Sequence, residues 1–192
     1  MKKVNLPLTL SLVALVLSAK INAQDSNTDN HTVTISVPEV ALVGIEPAAT
    51  KNITLGFAAP TEAGEPVAAN SANTTLWLNY SSIISDADPT RNVSVRLNAL
   101  IPGIDIQLTA AAATGAGGGT LGSPSAQLTL SAADQTIISG IGSAYTGSGA
   151  NNGHNLTYSL ASGNGPGGVA AYADLQAAAT TVATVTYTIS DN

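Results

Sequence analysis

Two histidines, His31 and His154, are the only side chains in this 192-residue sequence with an ordinary pKa suited to general-base work near neutral pH. His31 borders a polar stretch and His154 sits in a Gly/Asn-rich turn, so neither has an evident nucleophile beside it. The sequence holds no G-x-S-x-G elbow, no G-x-x-x-x-G-K-[ST] phosphate loop and no H-E-x-x-H pair. Glycine clusters at 115–119 and 163–168 lack the strand-to-helix setting in which such a loop cradles phosphate, and they read as flexible loops. Glu62, Glu65, Asp86, Asp88, Asp105, Asp134 and Asp174 are raw material for a paired-carboxylate hydrolase. Most fall in expected loops, and the aromatics that usually line a sugar-cleaving cleft amount to only 4% of the chain. The expectation is a non-enzymatic protein that carries no cofactor.

Asp86 with Asp88, or Asp25 with Asp29, offers two carboxylates to a cation, whereas calcium takes about six to eight oxygens. A solvated turn is the preferred reading of both pairs, and no metal site is assigned. Sugar stacking is a third chemistry. Tyr80, Tyr158 and Tyr187 run in phase with the aliphatic residues of their strands and read as core. Trp77, Tyr145 and Tyr172 remain as candidate contacts for a glycan or a protein ligand. With no cysteine, a disulfide framework, a thiolate metal site and a Cys nucleophile are all excluded. Beyond residue 23 only Lys51, Arg91 and Arg96 stand against twelve carboxylates, which argues against a nucleic-acid partner and against docking on anionic lipid.

The elements that would position these groups begin with a leader. Lys2 and Lys3 precede an apolar run at 6–17, and Ile21-Asn22-Ala23 makes a small-residue cleavage site, so 1–23 reads as a signal peptide. The run is shorter than the roughly 20 residues a spanning helix needs, and no later stretch is apolar enough to cross a membrane as a helix. Secretion, to the exterior or the cell surface and transiently through a periplasm, is the expected route. A flexible tail at 24–30 leads into one domain at 31–192.

That domain reads as all-β. In 31–47, Val33, Ile35 and Val37 alternate with polar residues; after Pro38 the apolar phase shifts to Val40 and Leu42. Strands follow at 52–59, 74–80, 91–99, 104–110, 126–130, 137–144 (with a bulge), 155–160 and 182–189, and a turn or two of helix near Leu175. Leu76, Leu78, Val93, Val95, Leu97, Ile104, Ile106, Leu108, Leu156 and Leu160 face inward on this pattern. The Gly/Ala/Thr stretch at 111–124 reads as a long surface loop. Short alternating strands at this spacing predict an antiparallel two-sheet sandwich, with a closed barrel as the alternative.

The leader, the alternating segment at 32–37, Leu55-Gly56-Phe57, Pro102-Gly103-Ile104 and the terminal run at 185–189 together resemble the exported fimbria-type immunoglobulin-like sandwiches of bacteria, including spore-coat-U-like and pilin-type subunits. The resemblance implies donor-strand complementation, in which the lead segment of one subunit adds to the sheet of another copy or a related subunit. Val33, Ile35, Val37, Val40 and Leu42 would then form the assembly strand. Two arrangements stay open: 31–45 as the first strand of its own sandwich, kinked at Pro38, or as a strand exchanged between subunits. A fimbria-like structural protein is the first functional expectation. The alternative is a secreted, adhesin-like binding module recognising glycan or host protein through loops and Trp77.

Overall fold

The computed structural model describes residues 27–163, 171–178 and 181–192. The signal-peptide assignment at 1–23 and most of the 163–168 glycine cluster lie outside the described residues. The chain divides into two units, Met1–Ser36 and Val37–Asn192. In the first, the described residues 27–36 form no strand, and Val33 and Ile35 are exposed.

The second unit is all-β and antiparallel. Its strands are β1 (Val40–Glu46), β2 (Phe57–Ala58), β3 (Ala68–Ala69), β4 (Asn73–Ile83), β5 (Arg91–Leu97), β6 (Ile104–Ala110), β7 (Gly118–Pro124), β8 (Leu128–Thr129), β9 (Gln135–Tyr145), β10 (His154–Ser162) and β11 (Val185–Asp191). Nine of them form one sheet in the order β11-β5-β9-β4-β10-β6-β8, with β1 added to β4 and β7 added to β9; β2 and β3 make a separate two-stranded ribbon. Strand β4 is the joint. It pairs with β1 along one side, and along the other with β10 over its first half and with β9 at Ser81 and Ser82. The inward faces converge on one apolar cluster that includes Leu78, Val93, Leu108, Ile138, Ile141 and Leu156, all fully buried.

Alternation explains the central strands. In β5, Val93, Val95 and Leu97 are buried while Asn92, Ser94 and Arg96 point outward; in β4, Leu76, Leu78 and Tyr80 are buried and Trp77 is half-buried on the opposite face. Strand β9 carries the expected irregularity, with register shifts against both β5 and β7.

Several expectations are corrected. The segment at 31–45 is not one kinked strand: β1 begins only at Val40, and Val37 is exposed like Val33 and Ile35. Proline has no N–H to give to a ladder, so pairing starts after Pro38. Nor does the apolar phase shift to Val40 and Leu42. Val43 lies opposite Tyr80 and Ile45 opposite Leu78, so these two share the buried face, while Leu42 lies opposite Ser81 and is 65% exposed. Of the strand expected at 52–59 only Phe57–Ala58 pairs, although Ile53 and Leu55 still pack against the core. In β6, Leu108 is buried as expected, but Asp105 is buried too, and Ile104 and Ile106 are only half-buried. Near Leu175 the chain makes a single 3-10 turn, Tyr172–Asp174, instead of a longer helix.

The largest departure is β7, in a stretch expected to be a surface loop. It pairs with β9 from Gly118 to Pro124. Glycine is what lets it approach: Gly119 has φ +86°, and a Cβ there would lie 2.8 Å from the Ala144 Cα. A glycine run looks flexible in isolation, yet here it is the residue type that a close neighbouring backbone demands.

Candidate functional site

Of the four strands of the large sheet paired on one side only, β1, β7, β8 and β11, the pair β1 and β11 forms the most distinctive surface of the second unit. Strand β1 is hydrogen-bonded only to β4, and β11 only to β5, so each leaves one side of its backbone unpaired among the described residues. These two strands lie in contact without pairing to each other. The core-facing side chains along them are Val43 and Ile45 on β1 and Val185, Tyr187 and Ile189 on β11. All five are half-buried, in contrast to the fully buried residues of β5 and β9. An incompletely covered apolar seam therefore runs beside two open ladders.

One buried cation ties the ends of these strands together. Arg91, at the start of β5, is 2% exposed. Its Nε donates to Asp191 Oδ1 of β11 at 2.6 Å and its Nη1 to the Ile83 carbonyl at 2.9 Å. Nη1 also donates to the Val40 carbonyl, and Nη2 to Glu39. A planar guanidinium has donors enough for four such acceptors, which an ammonium group does not. Arg91 thereby fastens the root of β1 to the last residues of β4 and β11. Its position in phase with Val93 and Val95 was the signal in the sequence that it points inward.

A second buried polar group is His154, on β10. Its Nδ1 lies 2.8 Å from the Ala111 carbonyl oxygen, which can only accept, so Nδ1 carries the proton. The Nε2 lone pair then faces the Tyr80 hydroxyl at 3.0 Å, and that hydroxyl also meets the Leu121 carbonyl. The rings of Tyr80 and His154 stack with centroids 5.7 Å apart. Burial lowers the His154 pKa below its ordinary 6.5, against the opposing pull of the Ala111 and Leu121 carbonyls, and keeps the ring neutral. Being fully buried, His154 knits β4, β7 and β10 together and meets no solvent-borne substrate. His31 belongs to the other unit.

The candidate ligand contacts do not form one platform. Tyr145, 55% exposed at the end of β9, borders a cleft lined also by Leu42, Gly44, Glu46, Asn79, Ser81 and Ser148. Tyr172 borders a different one, with Gly64, Glu65 and Pro66, and its hydroxyl accepts the Val67 N–H at 3.3 Å. Trp77 lies in the β4 ladder between Glu46 and Asn155. Tyr158 and Tyr187 join their hydroxyls at 2.6 Å beneath the β11 edge. Among the described residues no group of three or more His, Cys, Asp or Glu gathers to hold a metal ion, and no helix is long and apolar enough to cross a membrane. Compared with known proteins, the chain matches no family model, no curated protein and no solved structure.

Proposed function

We propose that this protein is a non-enzymatic structural subunit of an extracellular or cell-surface assembly, an immunoglobulin-like β-sandwich whose copies join through strand edges. In this reading β1-β4-β10-β6-β8 and β7-β9-β5-β11 are the two layers, and the short β4–β9 pairing is the corner between them. The packing of β1 against β11 without a ladder between them supports such a layering. The basic start and apolar run that the sequence carries within 1–23 support export.

The observation that carries the reading is the exposure of Val33, Ile35 and Val37, at 68%, 79% and 70%. Three branched side chains at alternate positions of an unpaired segment match what an open edge accepts: a ladder of backbone hydrogen bonds, with every second side chain entering an apolar groove. The seam between β1 and β11 offers both. Burying three such side chains is worth roughly 5–9 kcal/mol at 1.5–3 kcal/mol each. Association costs about 4–15 kcal/mol in lost freedom. Side chains alone therefore leave the contact weak, and the ladder must supply the remainder.

The test is electron microscopy and light scattering of the secreted full chain across a concentration series, beside Ile35→Asp. An exposed Ile35 means the charge leaves the thermal stability of the subunit within about 0.5 kcal/mol of wild type. Linear assemblies in the wild type and none in the variant are expected. A wild type that stays monomeric at every concentration, or a variant that assembles equally well, refutes the proposal.

A further inference from the structure

We propose that the outer face of β1, β4 and β9, turned away from the core-facing Val43 and Ile45, carries a binding site for a neutral hexose unit of a glycan, with Tyr145 as its stacking surface. Four residues stand abreast there: Leu42 opposite Ser81, Ser81 opposite Tyr145, and Tyr145 opposite Gly118. Gly44 opposite Asn79 forms the next row, and Glu46 opposite Trp77 the one after. The resulting cleft has a volume of about 430 Å³, toward the lower end of the roughly 300–1,000 Å³ typical of small-molecule sites.

The Tyr145 ring is held in place before any ligand arrives. A Cβ on Gly118 would lie 3.2–3.3 Å from the Tyr145 hydroxyl and ring carbons, so the ring rests on bare glycine backbone. With the side chain 55% exposed, its free side is left to solvent. A ring supported in this way loses little freedom on binding and presents a flat surface to the apolar C–H face of a sugar. Leu42 supplies a second apolar wall. In the next row the floor is open, since nothing lies within 4 Å of where a Gly44 Cβ would be.

The polar groups lining the cleft suit hydroxyls. The Asn79 amide nitrogen donates to the Asn152 carbonyl at 2.6 Å, which fixes this side chain at the cleft, and its Oδ1 is buried without a partner. Glu46 uses Oε2 to accept the Ala48 N–H at 2.8 Å, leaving its other oxygen as an acceptor, and Ser81 and Ser148 each add a hydroxyl. No Lys or Arg lines the cleft, so sulfated, sialylated or uronic sugars would meet a carboxylate without a compensating cation. The lining thus combines one fixed aromatic surface with several acceptors and hydroxyls, which is the chemistry of an uncharged polyol.

Ligand-detected NMR of the full chain with the methyl glycosides of glucose, galactose, mannose and N-acetylglucosamine, and with a sulfated and a uronic oligosaccharide, tests this. At least one neutral glycoside should bind. Tyr145→Ala should weaken that binding about tenfold or more, and Gly44→Leu, which fills the floor at a position with room for a side chain, should abolish it. Circular dichroism and thermal midpoints should show both variants folded. Binding by no neutral glycoside, preference for a charged sugar, or undiminished binding in either folded variant each overturns the assignment. Because Ile35 does not line the cleft, Ile35→Asp should leave glycoside binding by the unassembled chain unchanged.

Discussion

Replacing Arg91 by methionine should destabilise the protein far more than removing either of its carboxylate partners. The guanidinium is 3% exposed, while Glu39 and Asp191 keep 47% and 49% of their side-chain surface. Losing one partner of a fully buried pair costs about 3–5 kcal/mol because the other charge is stranded. Here the stranded carboxylates can rehydrate, which lowers that figure. Against this, the Val40 and Ile83 carbonyls lose a charged donor, worth about 1.5–3 kcal/mol each. Arg91→Met should therefore cost about 2–4 kcal/mol, or a fall of roughly 4–16 °C in thermal midpoint for a chain of this size. Arg91→Lys should recover less than half, since one ammonium cannot reach four acceptors, three of them on different strands. Asp191→Asn and Glu39→Gln leave the carbonyl contacts in place and alter half-exposed pairs, so each should cost no more than about 1 kcal/mol. Urea unfolding followed by circular dichroism reads all four variants. A cost for Arg91→Met below about 0.5 kcal/mol, or one equalled by Asp191→Asn, would show that Arg91 does not hold the strand ends together.

Three further outcomes follow from buried groups and one glycine. The pKa of His154 is lowered in the folded state, so the unfolded chain takes up its proton first: stability is complete above the ordinary 6.5 and declines as pH falls below it, by at most about 1.4 kcal/mol per pH unit for one proton. Urea titrations between neutral and mildly acidic pH should show this decline, and His154→Gln should flatten it; an unchanged slope in a folded variant would be the contrary result. Burial pushes Tyr158 up to about 12, despite its hydrogen bond with Tyr187, and raises Tyr80 and Tyr187 as well. Their contribution is whole below the ordinary 10.0 and is lost as pH climbs past it, so phenolate absorbance from these three should appear together with loss of the β-sheet signal, and ionisation well before unfolding would refute this. Gly119→Ala should cost at least about 2 kcal/mol through its positive φ and the nearby Ala144 backbone, whereas Gly44→Ala should be nearly neutral; equal midpoints in thermal melts would contradict the close approach of β7 to β9.

Much of the architecture was legible because alternation is a local property. The apolar residues of β4, β5 and β10 repeat every second position, and that alone assigns strand and buried face whatever the partner. The candidate site was less legible. Leu42 and Tyr145 are far apart in the chain, and only their shared register with Ser81 makes them two walls of one cleft. Trp77 shares the outer face of β4 with Asn79 and Ser81 but does not line the cleft, and Tyr172 borders a different one.

The sequence by itself determined that the second unit is strand-rich and that its alternating apolar faces must be covered, since a period of two permits little else. It also determined that these 192 residues supply no thiol, there being no cysteine among them. Tertiary structure decided the rest. It turned a glycine run into β7, placed Arg91 among acceptors from three strands and buried His154 against Tyr80. It also placed Val43 and Ile45, rather than Leu42, toward the core. Each of these depends on what lies opposite in space, and spacing along one strand carries no record of its partner.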